Sequence, residues 1–154
     1  FAPDRTMTVA EAVRLAACME SRQRGDNFHQ QSVSGAVWYR SSVDYCVASG
    51  ILRRGEFLDY ERPVTRAEMA HIFASTSLGR AIPEKNSLER VKASVPDVKA
   101  GDYAADDIYA LYAKGVLAGS DGKLTFRPGD TVTRAEAAGI AARMARMEQR
   151  ITLF

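Results

Sequence analysis

The tetrapeptide Thr-Arg-Ala-Glu occurs twice in this chain, at residues 65–68 and again at residues 133–136. In such a tetrapeptide the threonine hydroxyl can accept a hydrogen bond from the N–H of the glutamate, while the glutamate side chain reaches back to the N–H of the threonine. Val64 and Val132 precede the two copies, where an apolar side chain packs against the following helical turn. Each copy therefore predicts the start of a helix with a reciprocal capping box.

The arginine is the residue of the tetrapeptide that capping does not explain. Arg66 and Arg134 fall in the first helical turn, at the positive end of the helix dipole, where a cation is disfavoured by up to about 1 kcal/mol. Two interpretations stay open at this point. Either each arginine pairs with a nearby carboxylate such as Asp130 or Glu61, or it holds an anionic ligand.

The sequence around each tetrapeptide repeats as well. Residues 111–119 read Leu-Tyr-Ala-Lys-Gly-Val-Leu-Ala-Gly, and residues 46–52 read Cys-Val-Ala-Ser-Gly-Ile-Leu. Each predicts a first helix that ends at a glycine, followed by a short loop with an aromatic residue and then by the capped second helix. A partial copy opens the chain with Thr-Val-Ala-Glu at residues 8–11, and Phe1 precedes it at the spacing that Phe126 has in the last copy. The chain therefore contains two full repeats and the second half of another.

Aligning the second helices of the repeats brings apolar residues into one stripe. Leu15, Ile72 and Ile140 correspond, and so do their neighbours one and four positions later. Such a stripe predicts that the three helices pack together as a central bundle. We predict an all-α protein whose repeats, at residues 1–22, 32–78 and 95–147, together form one domain.

The remaining segments are assigned by their polarity and length. First helices are predicted from about residue 33 to 49 and from about residue 103 to 114. Residues 22–31 and 77–95 are polar enough to be connectors, and the second of these is long enough to hold a helix of its own within residues 86–93.

Composition excludes several classes of function. The chain has 154 residues, 46% of them hydrophobic and 26% charged, which suits one buried core. Its net charge of +2 is spread along the sequence, which argues against nucleic acid or an anionic membrane as a partner, and no apolar run approaches the roughly 20 residues that span a bilayer. The start of the chain lacks the pattern of a signal peptide.

Candidate catalytic and metal-binding groups are sparse. His29 and His71 have no second ligand at metal spacing, and no nucleophile stands in a catalytic setting. We therefore expect no enzyme, no metal ion and no cofactor. Cys46 aligns with a core leucine and Cys18 lies off the apolar stripe, and one disulfide between them stays open. Residues 24–26 read Arg-Gly-Asp, but a given tripeptide often occurs in a linker by chance.

This succession of elements resembles the S-layer homology domain. In the last repeat it runs from Val95-Pro96-Asp97-Val98 and Tyr103, through the glycine-ended helix, to Phe126-Arg127-Pro128 and Val132 to Glu136. The middle repeat keeps Trp38-Tyr39, Gly50-Ile51-Leu52 and residues 65–68, but its shorter turn lacks the Phe-x-Pro sequence. The resemblance covers nearly the whole chain.

The resemblance implies a pseudo-threefold helical spindle and a function. It implies a secreted, non-catalytic module that anchors a bacterial surface protein to the cell wall by binding acidic, often pyruvylated, secondary cell wall polysaccharide in grooves between repeats. A helix start with free N–H groups and an arginine would bind the carboxylate. The residues expected to contact the ligand are Arg66, Arg134, Trp38, Tyr103, Gly115 and Gly119. The residues expected to cap helices are Thr8, Glu11, Thr65, Glu68, Thr133 and Glu136.

Alternatives remain for several of these residues. Trp38 either stacks on a sugar or fills the core, Gly115 either caps the first helix or lets a ligand approach, and the role of Asp97 is open. Val9 replaces the arginine in the partial repeat, so we expect at most two competent grooves. A different function is also open: the chain is a structural module that pairs with other protein chains, because the incomplete repeat leaves apolar faces that a second chain or residues 146–154 could cover.

Overall fold

The computed structural model describes residues 2–154, and these residues form an all-helical protein, which confirms the predicted fold class. Phe1, which the first predicted repeat includes, lies outside the described residues. Single 3₁₀ turns occupy Phe28–Gln30 and Met147–Gln149. The α-helices are α1 (Val9–Arg24), α2 (Arg40–Ala48), α3 (Arg66–Ala74), α4 (Ser77–Ala81), α5 (Leu88–Ser94), α6 (Ala105–Ala113) and α7 (Arg134–Ala145).

All three predicted capping boxes form. At the start of α1 the N–H of Glu11 donates to the Thr8 hydroxyl over 3.2 Å, and the Glu11 carboxylate accepts from the N–H of Thr8 over 2.9 Å. The same pair of bonds closes the starts of α3 and α7. Val64 and Val132 are fully buried before the second and third caps, as the apolar pattern predicts. Local sequence therefore determines where these three helices begin.

The loops that precede these three helices exchange hydrogen bonds in cyclic order. The first two helical N–H groups of each helix donate to carbonyl groups of the loop of another repeat, over 2.8–3.1 Å. The loop before α1 accepts from α7, the loop before α3 accepts from α1, and the loop before α7 accepts from α3. This closed exchange gives the three helix starts a pseudo-threefold relation. The accepting carbonyls belong to Pro3 and Arg5, to Tyr60 and Arg62, and to Pro128 and Asp130.

The predicted apolar stripe is buried most completely in α3. Ile72 and Phe73 are fully enclosed, and Ile140 of α7 is only 3% exposed. In contrast, Leu15 of α1 and Ala141 of α7 keep part of their surface, because a groove separates these two helices at that point. The bundle is therefore closed around α3 and open between α1 and α7.

Several segments differ from the sequence prediction. The helix predicted from residue 33 begins only at Arg40, because Gly35 has a left-handed φ of +90° and Tyr39 stacks on Tyr60 with ring centroids 5.3 Å apart. Between α3 and α5 the structure adds α4, whose start is capped by the Thr76 hydroxyl. The helix expected within residues 86–93 is confirmed as α5.

The C-terminal tail packs on the last repeat. The N–H of Ile151 donates to the Gly115 carbonyl over 2.8 Å, and the N–H of Leu153 donates to the Asn86 side chain over 2.8 Å. The tail is thus held beside α5 and the end of α6. Both cysteines are free thiols: Cys46 is fully buried, as predicted, and Cys18 is partly exposed.

Candidate ligand-binding grooves

A groove lies between α1 and α7, and we call it the Trp38 groove. Its cavity is about 520 Å³. Helix α1 contributes Glu11 and Arg14, helix α7 contributes Arg134, and the segment before α2 contributes the indole of Trp38. The groove therefore joins an aromatic ring, two arginines and one carboxylate. Its apolar wall consists of Met7, Leu15, Cys18, Ala138 and Ala141.

Two of the residues predicted to bind a ligand meet in this groove although they belong to different repeats. Trp38 comes from the middle repeat and Arg134 from the last one, and both are half-buried. The cyclic exchange of hydrogen bonds places the start of α7 beside α1. Helix α2 also packs on α1, so Trp38 before α2 and Arg134 at the start of α7 come together. Trp38 is therefore placed at a groove surface instead of within the core.

Arg14 is a residue of this groove that the sequence prediction did not include. Its Nη2 donates to the Gln31 carbonyl over 2.8 Å, and its guanidinium lies 5.1 Å from the centre of the Phe28 ring. Its Nη1 is buried and has no hydrogen-bond partner among residues 2–154. Alignment of the three second helices, which places Arg14 opposite His71, was the signal that could have identified it.

Arg66 occupies the position equivalent to Arg134 but is enclosed. It is 8% exposed, its Nε donates to the Phe126 carbonyl over 2.7 Å, and its Nη1 lies 3.3 Å from Glu136. The guanidinium also lies 5.0 Å from the centre of the Phe126 ring. These contacts explain the position of Arg66 without a ligand. The carboxylate that pairs with it belongs to Glu136 and not to Asp130 or Glu61. Its predicted role toward a ligand stays a prediction.

The first-turn N–H groups are not available to a ligand, contrary to the expectation from the sequence. At the start of α7 the N–H groups of Arg134 and Ala135 donate to loop carbonyls, and the N–H groups of Thr133 and Glu136 form the capping box. The starts of α1 and α3 have the same arrangement. An anion in the Trp38 groove would therefore have to bind side chains.

A second groove, which we call the Tyr103 groove, lies between the loop before α3 and the segment before α6. It consists of two adjoining cavities of about 380 and 340 Å³ that share Glu56 and Tyr103, and the tyrosine is 56% exposed. Arg62 and Glu68 form two hydrogen bonds here, of 2.9 and 2.6 Å. Val9 stands where the other two repeats have arginine, and it is fully buried.

Part of the chain matches a known protein family. Residues 96–138 match the family model of the S-layer homology domain. Over these residues the chain is similar to the S-layer homology domain. Domains of this family are generally non-catalytic modules that anchor proteins to the cell wall. No curated protein matches the chain.

The segment that matches the S-layer homology domain runs from the turn before α6 into α7. Asp97, whose role the sequence left open, binds the Phe-x-Pro loop there: its carboxylate accepts from the N–H of Phe126 over 2.9 Å and from the N–H of Arg127 over 2.7 Å. Arg127 has a left-handed φ of +60°, so these two bonds hold an unfavourable backbone conformation in place. Asp97 therefore has a structural function.

The two glycines predicted to contact a ligand lie against the chain itself. Gly115 has a φ of +74°, and a Cβ atom built on it would lie 2.7 Å from the carbonyl oxygen of Ile151. Gly119 has a φ of +82°, and a Cβ atom there would lie 2.8 Å from the carbonyl carbon of Leu124. Close backbone approach thus occurs at both positions: Gly115 lies against the C-terminal tail, and Gly119 lies against the turn that contains Leu124.

Within residues 2–154, no helix combines the length and apolar character needed to cross a membrane. The same residues contain no group of three or more His, Cys, Asp or Glu side chains that could hold a metal ion.

His71 forms the polar centre of the Tyr103 groove. Its Nδ1 lies 2.9 Å from Asp107 and its Nε2 lies 3.0 Å from Glu56, so both ring nitrogens face carboxylates. A neutral imidazole carries only one N–H, so the protonated form is needed to donate both hydrogen bonds. The hydrogen bond to Asp107, followed by that to Glu56, raises the pKa of His71 above its ordinary value despite partial burial.

Stability is expected to fall as the pH rises above neutrality. Because the pKa of His71 is higher in the folded state, its contribution is fully present below about pH 6.5, the unfolded value, and is lost as the pH rises through the folded value. Urea unfolding between pH 5.5 and 9 measures this change. The His71→Gln variant should show a flatter profile over the same range, and identical profiles for the two proteins would contradict the assignment.

Proposed function

We propose that this protein anchors a bacterial surface protein non-covalently to the cell wall by binding an acidic, pyruvylated secondary cell wall polysaccharide. In this proposal the protein is secreted, acts without catalysis and binds the polymer in the Trp38 groove. The observation that carries the proposal is the meeting of Trp38 and Arg134, from different repeats, in one groove of about 520 Å³.

The chemistry of the Trp38 groove suits such a ligand. A guanidinium group offers two parallel N–H donors to a carboxylate, and an indole ring covers the apolar face of a sugar. A pyruvate ketal presents a carboxylate and a methyl group on the same carbon atom. Arg134 would receive the carboxylate, and the apolar wall that includes Met7 and Leu15 would receive the methyl group.

The Tyr103 groove suits the same ligand less well. Its exposed tyrosine could stack on a sugar, but Val9 replaces the arginine, and Arg62 is already paired with Glu68. Arg66 in turn is enclosed by Phe126 and Glu136. We propose the Trp38 groove for the acidic sugar because it combines Trp38 with Arg14 and Arg134, whereas the sequence allowed two grooves.

Arg134→Ala is expected to weaken binding of the purified wall polysaccharide by about 10- to 100-fold, since a hydrogen bond to a charged group contributes about 1.5 to 3 kcal/mol. Calorimetric titration measures the affinity. Arg66→Ala is the matched control, and it should reduce stability more than affinity. Removing the ketal pyruvate from the polymer should have an effect similar to that of Arg134→Ala. Undiminished binding of the Arg134→Ala variant or of the stripped polymer would refute the proposal.

A structural assembly module is the second candidate, and one observation favours it. Helix α2 packs on α1, and α6 packs on α3, but α7 has no corresponding partner among residues 2–154. Ala135, Ala138 and Ala145 of α7 are exposed. Pairing with another chain through this face would raise the molecular mass with concentration and would persist at high salt, whereas capture of a carboxylate by arginine weakens as salt is added.

A further inference from the structure

We propose that Arg14 is a second anion-binding residue of the Trp38 groove, and that the acidic group of the ligand lies between Arg14 and Arg134. The inference deepens the proposed function and rests on it. Its starting point is that Nη1 of Arg14 is buried without a hydrogen-bond partner among residues 2–154. A buried donor without a partner is rare in folded proteins, because it has lost water and gained no acceptor.

The equivalent position in the Tyr103 groove shows what Arg14 lacks. Arg14 of α1 aligns with His71 of α3, and both ring nitrogens of His71 face carboxylates of Asp107 and Glu56. The position of Asp107 in α6 aligns with Ser42 in α2. Ser42 is fully buried, and its hydroxyl is the other buried side-chain atom that has no partner in the described part of the chain. At this aligned position a neutral serine thus stands where the other groove has a carboxylate.

The carboxylate of the Trp38 groove itself does not balance Arg14. One oxygen of Glu11 accepts from the N–H of Thr8 over 2.9 Å, and the other pairs with Arg5. Glu11 is therefore committed to the helix cap and to a different arginine. The ligand supplies the missing negative charge, and Arg14 reaches it by turning Nη1 from its enclosed position toward the groove.

The two arginines define the chemistry of that ligand. A carboxylate has two oxygens with about four acceptor positions in total, so a single carboxylate can accept from two guanidinium groups at once. Arg14 approaches from α1 and Arg134 from α7, while Trp38 provides an apolar surface beside them. The site therefore fits a carboxylate attached to a sugar ring. A phosphate group has similar acceptors, and the experiment below includes it.

The test uses the fluorescence of Trp38, which is the single tryptophan of the chain and lies in this groove. Pyruvylated wall polysaccharide, sodium pyruvate and inorganic phosphate are titrated separately into the wild type, Arg14→Gln, Arg14→Lys and His71→Gln. Arg14→Gln is expected to raise the Kd for the polysaccharide about tenfold or more. Arg14→Lys keeps the charge but loses the planar fork, so it should restore only part of the affinity. His71→Gln, at the equivalent position of the other groove, should bind like the wild type.

The two cysteines give a second readout in the same samples. Cys18 lines the Trp38 groove, so bound polysaccharide should slow its alkylation in the wild type and much less in Arg14→Gln. Cys46 is the internal control, because it is fully buried and desolvation raises the pKa of its thiol to about 12.

Each outcome decides between the two proposals. If Arg14→Gln binds the polysaccharide as tightly as the wild type while Arg134→Ala does not, the role of Arg14 is refuted and the anchoring function stands. If the wild type binds pyruvate or phosphate through Arg14 but not the polysaccharide, the anion site stands and the anchoring function fails. If no anion or polymer changes the emission of Trp38 or the reactivity of Cys18, the inference is overturned along with the proposed function.

Discussion

Replacing Glu20 with alanine is expected to lower the free energy of unfolding by about 3 to 5 kcal/mol, because hydrogen bonds to a charged group contribute about 1.5 to 3 kcal/mol each. Glu20 of α1 is fully buried. Its carboxylate accepts from the N–H of Ser77 over 2.7 Å and from the Ser77 hydroxyl over 2.5 Å, which connects α1 to the start of α4. Alanine would leave both donors of Ser77 without their acceptor in the protein.

The controls separate this buried contact from the exposed part of the same network. Nε of Arg24 also donates to Glu20 over 2.8 Å, but Arg24 is 47% exposed, so Arg24→Ala should lower stability by less than about 1 kcal/mol. Glu20→Gln keeps one acceptor oxygen and should give an intermediate loss. Urea unfolding at pH 7 measures all three variants. Equal losses for Glu20→Ala and Arg24→Ala would show that the bonds to Ser77 contribute nothing.

The contribution of Glu20 also depends on pH in a defined direction. Burial alone would raise the pKa of Glu20, but the hydrogen bonds from Ser77 and Arg24 outweigh it and lower the pKa. The stabilisation is therefore present above about pH 4.3, the unfolded value, and is lost as the pH falls through the folded value. Acid should destabilise the wild type more than it destabilises Glu20→Gln.

The sequence was sufficient for the helix starts because a capping box is local. The four residues from Thr65 to Glu68 contain both donors and both acceptors, so no distant contact was needed to predict the start of α3. The prediction that the first N–H groups of α3 are free was wrong because it considered local contacts alone. The N–H of Arg66 meets the carbonyl of Asp130 over 2.8 Å, and this partner becomes visible only when the repeats are arranged in space.

The candidate site likewise combines residues that local sequence predicts with contacts that depend on how the repeats are arranged in space. Trp38 and Arg134 were each predicted from their own repeat, but the fact that they share a groove depends on the cyclic order of the three helix starts. Arg14 was missed because it belongs neither to the capping box nor to the glycine-ended helix. Its importance comes from a missing carboxylate, and this can be recognised only by comparing its surroundings with those of His71.

Gly115→Ala is the second substitution with a large expected effect, a loss of about 2 to 5 kcal/mol in the free energy of unfolding. The left-handed φ of +74° accounts for about 1 to 2 kcal/mol of this, since alanine disfavours that conformation. The remainder comes from the new Cβ atom, which would lie 2.7 Å from the carbonyl oxygen and 2.9 Å from the amide nitrogen of Ile151. The tail must then move, and the bond from the N–H of Ile151 to the Gly115 carbonyl is lost.

Gly50 provides a matched control for this substitution because it ends the first helix of the middle repeat as Gly115 ends that of the last. Its φ is +77°, but no atom lies within 4 Å of the position of a new Cβ. Gly50→Ala should therefore show only the backbone term of about 1 to 2 kcal/mol. Chemical denaturation of both variants, with hydrogen exchange at Ile151 and Leu153, measures the difference between them. If the two variants lose equal stability and the tail stays protected in both, then Gly115 is required only for its φ. If Gly115→Ala instead weakens polysaccharide binding at temperatures where it remains folded with its tail in place, then the glycine contacts the ligand as the resemblance to the family predicted.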